Sequence, residues 1–322
     1  MLLWLPSLLF RTIAGIRRIL YAKGILPSYR SSLPIIVVGN ISVGGSGKTP
    51  FSIALLEELK TRGYKPGVVS RGYKSNLPQK RARLLDNLSR AAEVGDEPLL
   101  IYRRTKVPVV VAQDRSRAVR RLEKLDDCDV VVSDDGLQHY AMQRDIEIVC
   151  IDSESGLGNG WTLPAGPLRE PEARLAEVDF VVLKSAGDAT SDYFCLDGDT
   201  FVSLDDASRQ GGADIFAGQT VHAVSGIAQP NGFFRHLESL GVAINRHAFP
   251  DHHSFSAEDF VACQGAPIVM TEKDAVKCAA LNIADVWYLP VSAQVKTNVL
   301  ERVIDRLDEL AQIGTEANSK IA

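Results

Sequence analysis

Residues 34–50, PIIVVGNISVGGSGKTP, decide how this chain is read. A β-branched apolar run ends in a glycine-rich turn, and Lys48-Thr49-Pro50 opens the segment TPFSIALLEELKTRG, which has a helical pattern. Strand, glycine turn and helix are the setting of a phosphate loop, whose usual form is G-x-x-x-x-G-K-[ST]. Counting back from Gly47-Lys48-Thr49, the first glycine should stand at position 42, where the chain has Ser42. The candidate nucleotide-binding residues are therefore Ser42, Val43, Gly44, Gly45, Ser46, Gly47, Lys48 and Thr49. The three glycines free the backbone to turn its N–H groups towards a phosphate, and the helix behind them aims its positive end at the same place. Lys48 is positioned to neutralise β- and γ-phosphates and Thr49 to ligate Mg²⁺. Pro50 suits a first helical turn, where its missing N–H costs little.

Outward from this loop, short apolar runs alternate with helical stretches. PIIVVGN (34–40), KPGVVS (65–70), VPVVVA (107–112), CDVVVSDD (128–135), DIEIVCID (145–152) and VDFVVLK (178–184) read as strands buried on both faces. The fold expected is α/β: a mostly parallel, doubly wound sheet with helices on both faces. After Lys184 the texture turns polar, which suggests a boundary near 185–200. A smaller α/β set follows, with strands at 220–227, 267–272 and 286–291 and helices near 230–240, 272–281 and 297–312, ahead of a frayed tail. The expected organisation is an N-terminal helix (1–30), a phosphate-loop domain (31–190) and a smaller C-terminal domain (191–315), its last helix returning onto the first domain.

The chain has 322 residues and a net charge of -4, a balance that offers nothing to nucleic acid. Its five cysteines are dispersed, without a C-x-x-C pair, as in reduced core thiols of a cytoplasmic protein, and their spacing gives no pattern for a cysteine-built metal site. No Asp or Glu precedes Glu57, whereas Arg11, Arg17, Arg18, Lys23 and Arg30 crowd the start. On a helix, Leu9, Ile13, Ile16 and Leu20 share one face and Arg11 and Arg18 lie opposite. The apolar run is too short to span a bilayer and precedes its charges, unlike a secretory signal. A helix lying in the membrane surface fits, as does a terminal helix packed on the body.

Further along, Asp134 ends an apolar strand and Asp135 adjoins it, the placement a Mg²⁺-assisting carboxylate pair requires. Asp96 in EVGDEP reads from spacing as a helix cap. Arg71 and Tyr73 follow a strand at the same sheet edge, and LPAGPLREP carries Arg169 and Glu170. FPDHHSF pairs His252 and His253 beside Asp251, either as a general base with its orienting carboxylate or as half of a metal site. TEKDAVK has its lysine displaced by one from the guanine-reading [NT]-K-x-D, which favours ATP over GTP.

Taken in order, GNISVGGSGKTP, SRGY, GDEP, DDGLQH, LPAGPLREP, FPDHHSF and TEKDAVK resemble the tetraacyldisaccharide 4'-kinase family. In that family the position of Ser42 is commonly a hydroxyl residue. The resemblance implies transfer of the γ-phosphate of ATP, with Mg²⁺, to the 4'-hydroxyl of a tetraacylated glucosamine disaccharide 1-phosphate, giving lipid IVA. It implies a peripheral protein at the cytoplasmic face of the bacterial inner membrane, a lipid disaccharide as its partner, and no obligate protein partner. It implies that Lys48 and Thr49 handle phosphate and metal, that Asp134 and Asp135 lie at metal and nucleotide, and that Asp96 and the histidine aligned with His252 activate the hydroxyl. Gln138, His139, Arg169 and Glu170 would line the same cleft. Phosphate loop and helix alone would also permit a membrane-bound nucleotide switch or a cytosolic small-molecule kinase.

Overall fold

The structure, a computed structural model, describes residues 3–73, 75–78, 81–185 and 191–319. The chain opens with helix α1 (Trp4–Ala22) and strand β1 (Ile35–Gly39), then runs through α2 (Lys48–Thr61), β2 (Pro66–Ser70), β3 (Arg83–Leu84), α3 (Ala91–Val94) and α4 (Asp96–Thr105). Next come β4 (Val109–Val111), α5 (Arg115–Leu122), β5 (Val130–Asp134), β6 (Ile146–Asp152), β7 (Phe180–Lys184) and β8 (Tyr193–Asp197). A second group holds β9 (Phe201–Ser203), β10 (Gln210–Gly211), β11 (Thr220–Ser225), α6 (Pro230–Ser239), β12 (Ala243–Ala248), β13 (Ile268–Thr271), α7 (Glu272–Cys278) and β14 (Val286–Leu289). The chain ends with β15 (Ser292–Val295) and α8 (Val299–Ser319).

The first sheet has the order β15-β8-β7-β6-β1-β5-β2-β4-β3. From β8 to β4 every pairing is parallel, and only the outer strands β15 and β3 run antiparallel. The expected α/β class therefore holds. The continuous apolar runs have the physical cause anticipated: alternate residues feed two separate cores. Ile36 and Val38 join a core built with Phe51, Leu55 and Leu59 of α2, Leu99 of α4 and Val303 and Leu307 of α8. Ile35 and Val37 face the other side, with Ala118, Val119 and Leu122 of α5. Burial on both faces leaves no room for a polar alternation in these strands.

The second sheet has the order β10-β9-β14-β13-β11-β12, parallel from β14 to β12. Residues 191–315 contribute to both sheets: β8, β15 and α8 belong with the first. Of the texture change expected near 185–200, residues 186–190 lie outside the described residues. Several elements were not anticipated. The edge strand β12 exposes the adjacent Asn245 and Arg246, and β8 and β15 are short, half-buried outer strands, so none carries a strong apolar run. Helix α8 runs to Ser319, beyond the end expected near 312, because a helix once nucleated on a packed turn gains a backbone hydrogen bond for each further residue.

Candidate active site

Parallel strands place their carboxyl ends, and the loops that follow, on one edge. The loop after β1 is shaped by its own backbone. Gly44 and Gly47 take φ of 115° and 74°, and Gly47 caps α2 in the left-handed region without any side-chain cap. The first N–H groups of the helix therefore face the loop without a capping side chain, as an anion site needs. A Cβ on Gly47 would stand 2.9 Å from the Phe194 ring and 3.1 Å from Lys184 Cδ. Ser42 forms an antiparallel bridge with Leu168, and Val43 N donates to Pro167 O at 2.9 Å. The LPAGPLREP loop thus holds the front of the phosphate loop extended. Ser42 is not among the positive-φ residues, so its backbone has no need of glycine. The Asn40 amide and Ser46 Oγ are buried without a partner, polar groups left for a ligand to satisfy.

Asp134 ends β5 almost wholly buried; its Oδ1 accepts from Ser52 Oγ at 3.3 Å, and Oδ2 has no partner. Burial, with Glu97 and Asp135 nearby, pushes its carboxyl well above the usual range. Asp135, at φ 49°, sits 3.6 Å from Lys48 Nζ and 3.2 Å from Arg169. Burial opposes its charge, yet Lys48, Arg169 and Arg115 together hold it below the ordinary carboxylate range. Arg115 is buried beneath the pair and donates to the backbone carbonyls of both Asp134 and Asp135. An orphaned carboxylate oxygen whose charge is disfavoured by burial is what a hard divalent cation would satisfy. Thr49, in the first turn of α2, and Asp134 offer the hydroxyl and carboxylate oxygens that suit Mg²⁺.

Gln138 and Glu170 meet: Gln138 Nε2 donates to Glu170 Oε1 at 2.8 Å and to Asn40 O at 3.0 Å. Tyr140 donates to the other Glu170 oxygen at 2.5 Å, and Arg174 lies 3.5 Å away. Glu170 thus braces the root of the phosphate loop. His139 turns elsewhere, 3.7 Å from Asp114, and burial with Arg115 and Arg144 nearby pushes it down to about 4.

The remaining candidates come from both sheets. Asp96 is the first residue of α4, and its carboxylate contacts His252 Nδ1 at 2.9 and 3.2 Å. It also accepts from Glu97 N, but Gly95 holds the cap position of α4 with no side-chain cap bond, so Asp96 is not the helix cap its spacing suggests. Burial works against the charge of Asp96, but His252 and Lys273 hold the carboxyl at about 2. Lys273 Nζ lies 2.9 Å from Glu97, 3.7 Å from Asp251 and 3.9 Å from Asp96. Tyr73, exposed, sets its ring edge-on to His252 at 5.0 Å, while Arg71 is exposed beside it. His253 takes a different partner, Asp259, within the capping box of the turn Ala257–Cys263, and stacks on Phe249.

Sequence reading used TEKDAVK only to favour ATP over GTP and as a family motif, and the fold gives it a positioning role. Asp274, fully buried, accepts from Gly226 N at 2.9 Å, and Gly226 O accepts from His252 N at 3.1 Å. The motif thereby sets the backbone of His252, held at φ 57°, while Lys273 reaches across to α4. Arg104 of α4 bonds Glu272 at 2.8 Å and Ser292 at 2.9 Å. Lys184, also unanticipated, bonds Asp152 at 2.9 Å and Gly45 O at 3.3 Å, bracing the loop from β7.

Helix α1 lies beside this edge. Ser7 exchanges hydrogen bonds with Thr162, Arg18 pairs with Glu177 and Arg17 donates to Gln138 O. Its polar side docks, while Leu5, Leu8, Leu9, Ile13, Ile16 and Ile19 are all exposed. No helix among the described residues is long and apolar enough to cross a membrane.

Comparison with known proteins identifies the family. The family model described as tetraacyldisaccharide-1-P 4'-kinase matches residues 1–308. The chain is 42% identical over 308 residues to the tetraacyldisaccharide 4'-kinase of Methylobacillus flagellatus, covering 95% of this chain and 91% of that one. It is 46% identical over 304 residues to the enzyme of the same name from Aeromonas hydrophila, covering 94% and 90%. A crystal structure of the "apo" form of LpxK from Aquifex aeolicus in complex with ATP is 30% identical, with a TM-score of 0.76, and covers 94% of this chain and 98% of that one. A phosphate loop braced by Glu170, a buried Asp134 and an Asp96–His252 pair thus sit in a chain that matches one family along nearly its whole length. The chain belongs to the tetraacyldisaccharide-1-P 4'-kinase family.

Proposed function

We propose that this protein is an ATP-dependent kinase that phosphorylates the 4'-hydroxyl of tetraacyldisaccharide 1-phosphate in lipid A biosynthesis, giving lipid IVA. The observation that carries this reading is the family match over residues 1–308. The roles that follow rest on the site geometry. Backbone N–H groups of residues 44–49 and the Lys48 ammonium hold the β- and γ-phosphates of ATP. Thr49 and Asp134 hold Mg²⁺, which when bound neutralises phosphate charge as the phosphoryl group moves. Asp135 and Arg115 keep Lys48 and the end of β5 in register.

Asp96 is a poor proton acceptor, because its carboxyl stays ionised to about pH 2. It is a good orienter: an anion at 2.9 Å from Nδ1 selects the tautomer that carries its proton on Nδ1 and leaves a lone pair on Nε2, which lies 3.6 Å from Asp251. His252 Nε2 then takes the proton of the sugar hydroxyl as it attacks. Little covalent work remains for the protein, so positioning and charge dominate.

The exposed apolar face of α1, beside Gln138 and Thr162, supports a peripheral position on the cytoplasmic face of the inner membrane. The substrate's acyl chains then stay in the bilayer while the sugar reaches the cleft. By sheet membership, the phosphate-loop unit combines residues 31–198 with β15 and α8, and the smaller unit is the sheet from β9 to β14.

The test is transfer of label from [γ-³²P]ATP to the disaccharide 1-phosphate in mixed detergent micelles. Labelled lipid is expected. Hydrolysis of ATP without labelled lipid would instead favour a nucleotide switch.

A further inference from the structure

Three side chains with metal-ligand chemistry meet on the second sheet, and none belongs to the candidate site. A ring nitrogen of His222, a ring nitrogen of His247 and the Cys263 thiol all lie within 4.8 Å of one another. His222 Nδ1 and His247 Nε2 are 2.9 Å apart. The histidines stand on the neighbouring parallel strands β11 and β12, where His222 faces Asn245 and Val224 faces His247. Alternate residues point to one side of a sheet, so both imidazoles share a face. Cys263 closes the group from the end of the turn Ala257–Cys263.

Their chemistry matches. Imidazole nitrogen and cysteine sulfur are both ligands of Zn²⁺, and the two ring nitrogens already face each other at 2.9 Å. Cys263 is buried and packs in the core that holds Phe260, Ile268 and Met270, and burial pushes its thiol up. A metal ion takes cysteine as the thiolate, so binding would release the thiol proton.

We propose that His222, His247 and Cys263 form a binding site for one thiophilic transition-metal ion, with Zn²⁺ as its occupant. Bonds of about 2.0 Å to nitrogen and about 2.3 Å to sulfur set tetrahedral ligand atoms roughly 3.3–3.8 Å apart. The two rings need part by a few tenths of an ångström, and the thiol, within 4.8 Å of both, need close by at most about 1 Å. β12 is the edge strand of its sheet, and Asn245 and Arg246 on it are exposed. His222 and His247 are themselves partly exposed. The metal would pin this edge strand to β11 and to the turn that carries the Phe255–Phe260 core.

The experiment uses the full-length protein, freed of metal and titrated with Co²⁺ and then Zn²⁺. One equivalent of Co²⁺ should bind with a sulfur-to-cobalt charge-transfer band, Zn²⁺ should displace it, and Tm should rise until one equivalent is reached. Cys263→Ser should remove the band, and His247→Gln, on the partly exposed edge strand, should weaken Zn²⁺ at least tenfold with the fold intact by circular dichroism. No thiolate band at one equivalent, or Zn²⁺ affinity unchanged in both variants, overturns the site. The second outcome would mean that metal binds elsewhere, for instance at His252.

Discussion

The carboxylate of Asp96 and Nδ1 of His252 lie 2.9 Å apart although 156 residues separate them. One sits at the first turn of α4 beneath the first sheet, the other in a loop after β12 of the second. Each unit therefore supplies half of a proton-accepting pair. Lys273, paired with Glu97 across the same junction, keeps the Asp96 side charged.

His252→Ala and Asp96→Ala should each lower kcat by about 10²–10⁴, the usual worth of a general base. The double variant should fall little further, since the two act as a unit. His253→Ala, which touches Asp259 and Phe249, should keep kcat within a few-fold. Steady-state transfer to lipid checks this, and a collapse of kcat in His253→Ala with His252→Ala unaffected would reverse the assignment.

Lys48→Ala should lose at least about 10² in kcat, because it removes a cation aimed at the transferring phosphoryl group. It should also release Asp135, now 3.6 Å from the ammonium. Asp134→Asn should raise the Mg²⁺ concentration needed for half-maximal rate. Mg²⁺ titration of both variants at saturating ATP distinguishes the two effects.

Gly47→Ala meets two penalties. Its φ of 74° is strained for an L-residue, and the new Cβ would stand 2.9 Å from the Phe194 ring. A destabilisation of about 1–3 kcal/mol is expected, with loss of ATP binding. Thermal melts and nucleotide-binding calorimetry are the measurements.

Acid should destabilise the fold in two windows. His139 has its pKa depressed from 6.5 to about 4, so its share of stability is complete above 6.5 and is lost as pH falls towards 4. Asp96 drops from 3.8 to about 2, so its share is complete above 3.8 and is lost towards 2. The upper step is on the order of 3 kcal/mol. Urea melts across pH should show it, and His139→Gln should flatten it while leaving the lower step.

Leu9→Asp with Ile16→Asp should cut binding to anionic vesicles tenfold or more, since each side chain is worth about 1.5–3 kcal/mol when buried in apolar surroundings. Both face outward, at 62% and 52% exposure, so the fold and ATP binding should not change. Vesicle sedimentation checks the partitioning. Unchanged partitioning would mean that the helix has no lipid-facing role.

Local chemistry was legible in the sequence wherever neighbours along the chain do the work. Strand, glycine turn and helix follow from β-branched runs, from Gly44 and Gly47, and from the helix behind Lys48, all between Ile35 and Thr61. Continuous apolar runs told of strands buried on both sides, and two cores confirm why. The order of seven motifs carried the family. The tertiary structure decided what depends on approach in space. It paired His252, and not His253, with Asp96; it showed that the LPAGPLREP loop holds Ser42 extended, so glycine is not needed there. It turned the apolar face of α1 outward, whereas the periodicity told only that such a face exists. It also gathered His222, His247 and Cys263, whose spacings of 25 and 16 residues match no ligand pattern. Periodicity and turn chemistry are set by neighbours along the chain, but the distance between two side chains on different strands is set only when the sheets close.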